Sequence, residues 1–383
     1  MEFVEEETEQ QRMIVGNLRR FLKSELVPLL FEMDEKSYFP QDIHQKMGEM
    51  GFLCPFMPQR YGGEGVDLMT YAVIAEEIGR VDAGFATSFF VSGVLFGRNV
   101  LLHGTEEQKI LYLPPLIRGE KMGCWALTEP NVGSDAFNIS TRAIKERREF
   151  IINGSKTFIT NAPIADNFIV LARTGERNGL SGGTAFILDR GMQGLSTGSA
   201  FHKMGNRSSP TGEIFMEGVR VSEESVLGEV NEAFPAILQS LDVERSLGSA
   251  VMVGLAQACL DASIGYAKDR IQFGKPIASF QLIREKLADM AMSLDMARTY
   301  AHHVINLIEQ GKPMTKESAI LKLFSSEMAT RCALEAIQIH GGYGYMKEYT
   351  VERYLRDAKL FEIGAGTSEI QRMLIAREVL AGR

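Results

Sequence analysis

Cysteine and tryptophan are scarce in this 383-residue chain, with four of the first and one of the second. Cys54, Cys124, Cys259 and Cys332 lie far apart and form no C-x-x-C pair, which argues against a disulfide frame or a zinc site and predicts reduced, mostly buried thiols. A basic excess is missing too. Against 41 Lys and Arg stand 49 Asp and Glu, a formal charge of -8, so the chain offers no general attraction to nucleic acid or to an anionic membrane. Among six histidines no H-E-x-x-H occurs, and the neighbours His302 and His303 cannot face one way on a helix, so no metal site is expected. No stretch reads as an unbroken apolar run long enough to cross a bilayer. The start, with Glu2, Glu5, Glu6 and Glu7, lacks the features of a signal peptide, and a cytoplasmic location is expected. G-x-G-x-x-G, the P-loop and G-x-S-x-G are all absent, so a dinucleotide must be held some other way and a serine hydrolase is disfavoured.

What is present is a change of texture along the chain. Helical stretches such as Glu5–Glu35 and Thr70–Gly79 dominate the first third, broken by Pro58-Gln59-Arg60-Tyr61-Gly62-Gly63-Glu64-Gly65. From about Cys124 the pattern turns to strands. Glu149–Ile152 and Lys156–Thr160 flank Asn153-Gly154 and read as a hairpin, and further strands are expected at Phe168–Ala172, Thr184–Leu188 and Glu213–Val221. After Gly228 helical spacing returns: Leu287, Ala291, Leu294 and Ala301 recur before Gly311-Lys312-Pro313, and Leu321, Phe324, Met328 and Cys332 before Gly341-Gly342. Helices, then strands, then helices point to an α+β fold rather than an alternating doubly wound one. The expected domains are an N-terminal helical domain (1–120), a middle β-barrel-like domain (121–228) and a C-terminal helical bundle (229–383).

The segment Trp125-Ala126-Leu127-Thr128-Glu129-Pro130-Asn131-Val132-Gly133-Ser134-Asp135 combines small residues and hydroxyls on a turn, a chemistry that offers N–H and O–H donors to ring heteroatoms and phosphates. This segment resembles the flavin and substrate loop of acyl-CoA dehydrogenases. So do Lys156–Asn161, Asp269–Ile277, Gln338–Gly344 and Gly366–Arg372, in the family's order over essentially the whole chain. The resemblance implies FAD in a cleft between the β domain and the C-terminal helices, completed by a neighbouring subunit of a homotetramer. It implies that Trp125, Leu127, Thr128 and Ser134 line the isoalloxazine, with Ser134 also near the thioester, and that Phe158 and Thr160 lie behind the ring. Phe158 replaces the family's usual tryptophan and keeps an aromatic surface. Arg270 would pair with the pyrophosphate through its donor fork, alongside Gln272, Phe273 and Gln281. Gln338, Gly341 and Gly342 would contact the adenine side across the subunit boundary, and Thr367 and Glu369 the phosphate and ribose side.

The reaction implied removes a proton from the carbon beside a thioester while hydride leaves the neighbouring carbon. It needs one carboxylate as base, facing the flavin across the substrate. In many relatives this glutamate immediately precedes Gly-Thr in the last motif, where this chain has Ala365. Leu241-Asp242-Val243-Glu244-Arg245 matches the Leu-Asp-x-Glu-Arg of the isovaleryl-CoA dehydrogenase type, so the resemblance assigns the base to Glu244, with Glu362 as a weaker rival. Asp242, Arg245, Ala365 and Gly366 would line the substrate, and the Ala365 N–H would polarise the thioester carbonyl. Gly364 and Ala365 leave room for a branched or alicyclic acyl group. A dicarboxylic acyl group fits less well, since Ala86 stands where glutaryl-type members place an arginine, although Arg98 lies on the same segment. Electron-transfer flavoprotein is the implied acceptor. A flavin-dependent acyl-CoA oxidase of the same fold, and a non-catalytic helical scaffold, are the alternatives that no residue decides.

Overall fold

Thr8 opens the first helix with a reciprocal capping box: its hydroxyl accepts from the Gln11 N–H, and the Gln11 side chain accepts from the Thr8 N–H. The computed structural model describes residues 8–178 and 181–382, so the acidic start from Glu2 to Glu7 lies outside it. Helix α1 (Glu9–Phe21) runs through a π turn at Leu22–Leu26 and a short 3-10 segment at Val27–Leu29 into α2 (Leu30–Lys36). The single helix expected here is thus divided at Pro28, which has no N–H to continue the ladder. Then come α3 (Gln41–Glu49), α4 (Leu68–Val81) and α5 (Ala83–Phe90), a π segment at Val91–Arg98, α6 (Asn99–His103) and α7 (Glu106–Ile117). Asp67 and Asp82 cap α4 and α5 by accepting from Thr70 and Phe85 N–H groups.

The middle of the chain holds β1 (Gly123–Ala126), β2 (Arg142–Glu146), β3 (Glu149–Thr160), β4 (Asn167–Asn178), β5 (Ser181–Asp189), β6 (Leu195–Thr197), β7 (Thr211–Ser222) and β8 (Val226–Leu227). They form one sheet in the order β6-β7-β3-β2-β4-β5-β8, with β1 parallel to β4. Alternation along β4 divides its two faces between two cores. Phe168, Val170 and Ala172 face a core internal to the β domain, whereas Ile169 and Leu171 join the large core shared with the helices.

One expectation fails here. Asn153-Gly154 is not a hairpin turn: β3 runs unbroken through it, antiparallel to both β2 and β7. The pair forms an irregularity in which the Asn153 side chain accepts from the Gly218 N–H at 2.8 Å. A Cβ on Gly154 would lie 2.5 Å from the Thr141 hydroxyl, so this glycine permits close strand approach rather than a reversal. The actual turn into β3 is at Arg147-Arg148, with Arg147 left-handed at φ 57°.

The C-terminal part is built on α8 (Ala233–Asp269), 37 residues long, followed by the small hairpin β9 (Ile271–Gln272) and β10 (Lys275–Pro276), then α9 (Gln281–Glu309), α10 (Thr315–His340), α11 (Val351–Phe361) and α12 (Ser368–Leu380). Two helical stretches, Ala83–His103 and Ala233–Asp269, are long and apolar enough to cross a membrane by length and composition, although polar residues interrupt both runs. Their apolar windows are 78% and 72% buried inside the protein, which marks them as core helices whose all-round apolarity is met by neighbouring helices and strands. All four cysteines are free and buried. Buried Arg353 sits between Asp82 (3.7 Å) and Asp357 (3.8 Å), and Asp357 accepts from the Asn206 N–H at 2.5 Å. This knot ties α5, the loop before β7 and α11, so the three parts meet in a fixed arrangement.

Candidate active site

Glu244 lies on α8 at a break in that helix's burial. Leu241, Glu244 and Gly248 keep accessible surface, while Val243 and the run Arg245–Leu247 are buried. The spacing i, i+3, i+7 puts these three on one stripe, which lines a cleft. Burial pushes the Glu244 carboxyl up to about 7, against the opposing charges of Arg245 and Lys322. A carboxylate so placed is poised to take a proton near neutral pH.

Next to it, the turn between α11 and α12 is clamped by three donors. Arg245 Nε donates to the Ala365 carbonyl at 3.1 Å, Lys322 Nζ to the Gly366 carbonyl at 2.6 Å, and Gln371 Nε2 to both at 3.3 and 3.0 Å. Ala365 and Gly366 are both left-handed, at φ 54° and 90°, a strained state for alanine that the clamp maintains. With their carbonyls held, the N–H groups of Ala365, Gly366 and Thr367 have no acceptor among the described residues. They form a row of free donors just before the N-terminus of α12, which Thr367 caps. Such a row suits a developing oxyanion or a phosphate.

Arg245 also donates to Asp242 at 3.0 Å, and Asp242 accepts from Thr315 at 2.6 Å and Ser318 at 3.3 Å. The resemblance assigns Asp242 and Arg245 to the substrate. In the structure both belong to a hydrogen-bond network that joins α8 to the clamped turn. Burial lowers the Lys322 ammonium to about 8, as does Arg245, with Glu244, Glu362 and Glu369 opposing. Because Glu244 must be ionised to accept a proton, proton abstraction is expected to rise with pH through about 7 and then level off. Lys322→Met removes one of the two cations that hold this value down and should move the rise to higher pH. Rates of flavin reduction across pH 5.5 to 9 check both.

A wall of the β domain meets α8 at the cavity that Trp125 shares with Ala236 and Ile237. Leu127 is buried, Trp125, Thr128 and Thr160 are half-buried, and Ser134 is exposed. Phe158 is 69% exposed, sits at φ 57° in an irregularity of β3, and packs on Phe201 at 5.6 Å. A left-handed bulge re-aims a side chain, and here it turns an aromatic ring out of the strand. Beneath this wall Lys156 is fully buried, donating to Glu129 at 2.9 Å and to the Leu127 carbonyl at 3.0 Å. Burial would raise the Glu129 carboxyl, but Lys156 and the donors of Ser140 and Thr141 hold it at about 2. Both residues lie inside the motifs that resemble the family's, and the resemblance gives neither a role. Their signal was an acid in the first motif and a lysine in the second.

The remaining assigned residues lie elsewhere. Arg270 caps α8 and sits 5.5 Å from the centre of the Tyr343 ring, beside the stacked pair Tyr266 and His340 at 4.2 Å. Together with Tyr349 they line an open cavity of about 570 Å³. Gln272, Gln281, Gln338, Gly341 and Gly342 are exposed around it, and Phe273, 93% exposed, tops the β9–β10 hairpin. Phe273 and Gly274, at φ 53° and 77°, give the paired positive φ of a tight hairpin turn. Along one continuous helix Arg270 stands roughly 39 Å from Glu244, beyond the span of one extended dinucleotide. Within one chain the two groups therefore belong to different sites. Thr367 and Glu369, by contrast, directly follow the turn that Arg245 and Lys322 clamp.

The sequence matches the acyl-CoA dehydrogenase N-terminal domain over residues 8–120, the middle domain over 124–219 and the C-terminal domain over 231–380. The chain belongs to the acyl-CoA dehydrogenase family. A relative named "Probable acyl-CoA dehydrogenase YngJ" from Bacillus subtilis is 47% identical, over 97% of this chain and 98% of its own. The caffeyl-CoA reductase-Etf complex subunit CarC of Acetobacterium woodii is 43% identical over 97% and 99%. The structure of butyryl-CoA dehydrogenase from Megasphaera elsdenii superposes with a TM-score of 0.96 at 37% identity, covering 98% of this chain and all of that one. Members of the family are FAD-dependent flavoproteins, and this chain is an oxidoreductase acting on acyl-CoA. The residues present fit such a cofactor: the exposed Phe158 ring suits its flavin end, the free N–H groups of Gly366 and Thr367 at the start of α12 suit a phosphate or ribose oxygen, and Arg270 with the tyrosine-lined cavity suits its adenine and phosphate end.

Proposed function

We propose that Glu244 removes the α-proton of an acyl-CoA thioester, and that the free Ala365 N–H polarises the thioester carbonyl and stabilises the enolate-like transition state. The observation that carries this reading is the pairing of a desolvated, accessible carboxylate on α8 with the clamped turn that Arg245 joins to it. FAD, when bound, supplies the acceptor for the hydride leaving the β-carbon. By microscopic reversibility the protonated Glu244 would return the α-proton in the opposite direction. Trp125, Leu127, Thr128, Ser134, Phe158 and Thr160 form the flavin wall. Arg270, Gln272, Phe273, Gln281, Gln338, Gly341 and Gly342 serve the cofactor of a neighbouring subunit, a reading that the distance between the two groups supports, and the homotetramer is the assembly that the family resemblance implies. Thr367 and Glu369 hold the phosphate and ribose side.

A cavity of about 460 Å³ between the β wall and the helices, lined in part by Trp125, Asn99, His103, Ala236 and Ile237, reaches α8 about two turns before Glu244 and suits the pantetheine arm. Space at Gly364, where an added Cβ would meet only the Leu360 carbonyl at 3.5 Å, favours a branched or alicyclic acyl group. Residues 1–120, 121–228 and 229–383 act as the three functional parts, and the enzyme works in the cytoplasm. Its acceptor is an electron-transfer flavoprotein, as the Etf-complex relative suggests. The purified protein should be yellow and bleach on anaerobic addition of an acyl-CoA. Reduced enzyme should then pass electrons to electron-transfer flavoprotein far faster than to oxygen. Rapid reoxidation by oxygen would make it an oxidase instead, and a colourless protein unable to take up FAD would leave only a scaffold.

A further inference from the structure

The knot around Arg353 lies apart from Glu244, yet it joins the element that carries the Ala365 turn to the one that supports the Phe158 wall. Asp357 Oδ1 accepts from the Asn206 N–H at 2.5 Å, and the Asn206 side chain returns a bond to the Asp357 carbonyl at 2.7 Å. Arg356 donates to the Met204 carbonyl at 3.1 Å, and a Cβ on Gly205 would collide with the Arg356 backbone. Three successive residues are thereby pinned to α11. On its other side this loop belongs to the β domain: Lys203 Nζ donates to the carbonyls of Asn206 and Ser209 and, at 3.1 Å, to the Thr211 hydroxyl on β7, while Phe201 packs on Phe158 at 5.6 Å. One turn beyond Asp357, the Leu360 carbonyl accepts from the Ile363 and Gly364 N–H groups at 3.0 and 2.8 Å. The Ala365 turn therefore hangs directly on the end of α11.

Stability alone does not call for such a knot. Burial raises the Asp357 carboxyl against the opposing charge of Arg353, and Asp82 adds to the rise. Arg353 reaches Asp82 and Asp357 only at 3.7 and 3.8 Å, and neither its Nε nor the buried Asn206 side-chain oxygen has a hydrogen-bond partner among the described residues. Exchanging buried charges for packed apolar groups is often neutral or stabilising, so what these bonds add is register. We infer that Asp357 is a positioning residue for the reaction: through Asn206 it fixes the spacing between the aromatic wall at Phe158 and the N–H groups at 365–367. It touches neither substrate nor cofactor. The two steps of the reaction depend on it unequally. Proton removal uses Glu244 and the Ala365 N–H, which the Arg245 and Lys322 clamp holds within the C-terminal helices, whereas hydride loss to the flavin also needs the β wall in register. The inference rests on Glu244 and Ala365 acting as proposed above.

Three variants test it. Asp357→Ala releases Asn206 and Arg353, Asp357→Asn keeps an acceptor in place, and Asn206→Gly removes only the side-chain bond while suiting the left-handed φ of 48°. Each holoenzyme would be compared with the wild type in anaerobic flavin reduction by an acyl-CoA that bleaches the wild type, in α-hydrogen exchange of a 3-thia-acyl-CoA, and in backbone amide exchange read by mass spectrometry. In Asp357→Ala flavin reduction should fall at least about tenfold, as a misplacement of a fraction of an ångström would cause, while α-hydrogen exchange of the analogue stays within about threefold. Amides of residues 201–209 should exchange at least about tenfold faster, and those of α8 around Glu244 at the wild-type rate. Asp357→Asn should recover most of the loss. FAD content reports folding, and Asn206→Gly, with a smaller loss of the same kind, carries the test if Asp357→Ala does not retain FAD. Flavin reduction and α-hydrogen exchange falling together, or both unchanged in a variant that retains FAD, overturns the proposal. Failure of the base assignment would show separately, as wild-type α-hydrogen exchange in Glu244→Gln.

Discussion

Glu244→Gln is expected to bind FAD and acyl-CoA and to lose flavin reduction by about 10³- to 10⁴-fold, the range a general base contributes. Glutamine keeps the shape of the side chain and removes its ability to take a proton. No other carboxylate on this side can substitute. Glu362 accepts from Thr330 at 2.5 Å and from Lys359 at 2.7 Å, and these partners hold it below its usual range despite partial burial. Asp242 is taken up by Arg245, Thr315 and Ser318. Ala365 has nothing to offer as a base. Stopped-flow reduction of bound FAD, with acyl-CoA dissociation constants measured in parallel, separates loss of chemistry from loss of binding: the rate should fall while both affinities hold.

Lys156→Met should produce the largest loss of stability of any single change near the site. Removing one partner of a fully buried, hydrogen-bonded ion pair leaves the other charge stranded, at a cost of about 3–5 kcal/mol. Here the stranded group is Glu129, which gathers Ser140 and Thr141 into the flavin-side loop, while the Leu127 carbonyl loses its donor. The protein should therefore unfold at lower denaturant and be isolated with little FAD. Glu129→Gln, which keeps an acceptor in place, should lose less. Denaturant titration together with the FAD-to-protein absorbance ratio checks both variants, and a Lys156→Met protein as stable and as yellow as the wild type would remove the pair from the account.

The order of helices, strands and helices was legible because periodicity changes where the fold changes, at Cys124 and again after Gly228. Turn chemistry was less reliable. Asn153-Gly154 carries the strongest short hairpin signal in the chain, yet it lies mid-strand in β3, since a glycine needed for close approach to Thr141 looks the same in sequence as one needed for a turn. The two longest apolar helices escaped notice for a related reason: scattered polar residues such as Ser240, Ser246 and Ser249 interrupt the run, and only burial and hydrogen bonds to neighbouring backbone or side chains show how they are accommodated. At the site, resemblance supplied Glu244 and Ala365. What it could not supply was the clamp. Lys322 and Gln371 lie 78 and 127 positions from Glu244, and only folding brings them onto the carbonyls of Ala365 and Gly366.

The central claim is that Glu244, and no other group, takes the α-proton. It is tested most directly with a 3-thia-acyl-CoA, whose β-sulfur blocks hydride loss so that proton removal is observed alone. Wild-type enzyme in deuterium oxide should exchange the α-hydrogens of this analogue and develop a long-wavelength charge-transfer band as the bound anion forms beside the flavin. Glu244→Gln with FAD and the analogue bound should show neither. Exchange at the wild-type rate in that variant would contradict the assignment and place the base elsewhere.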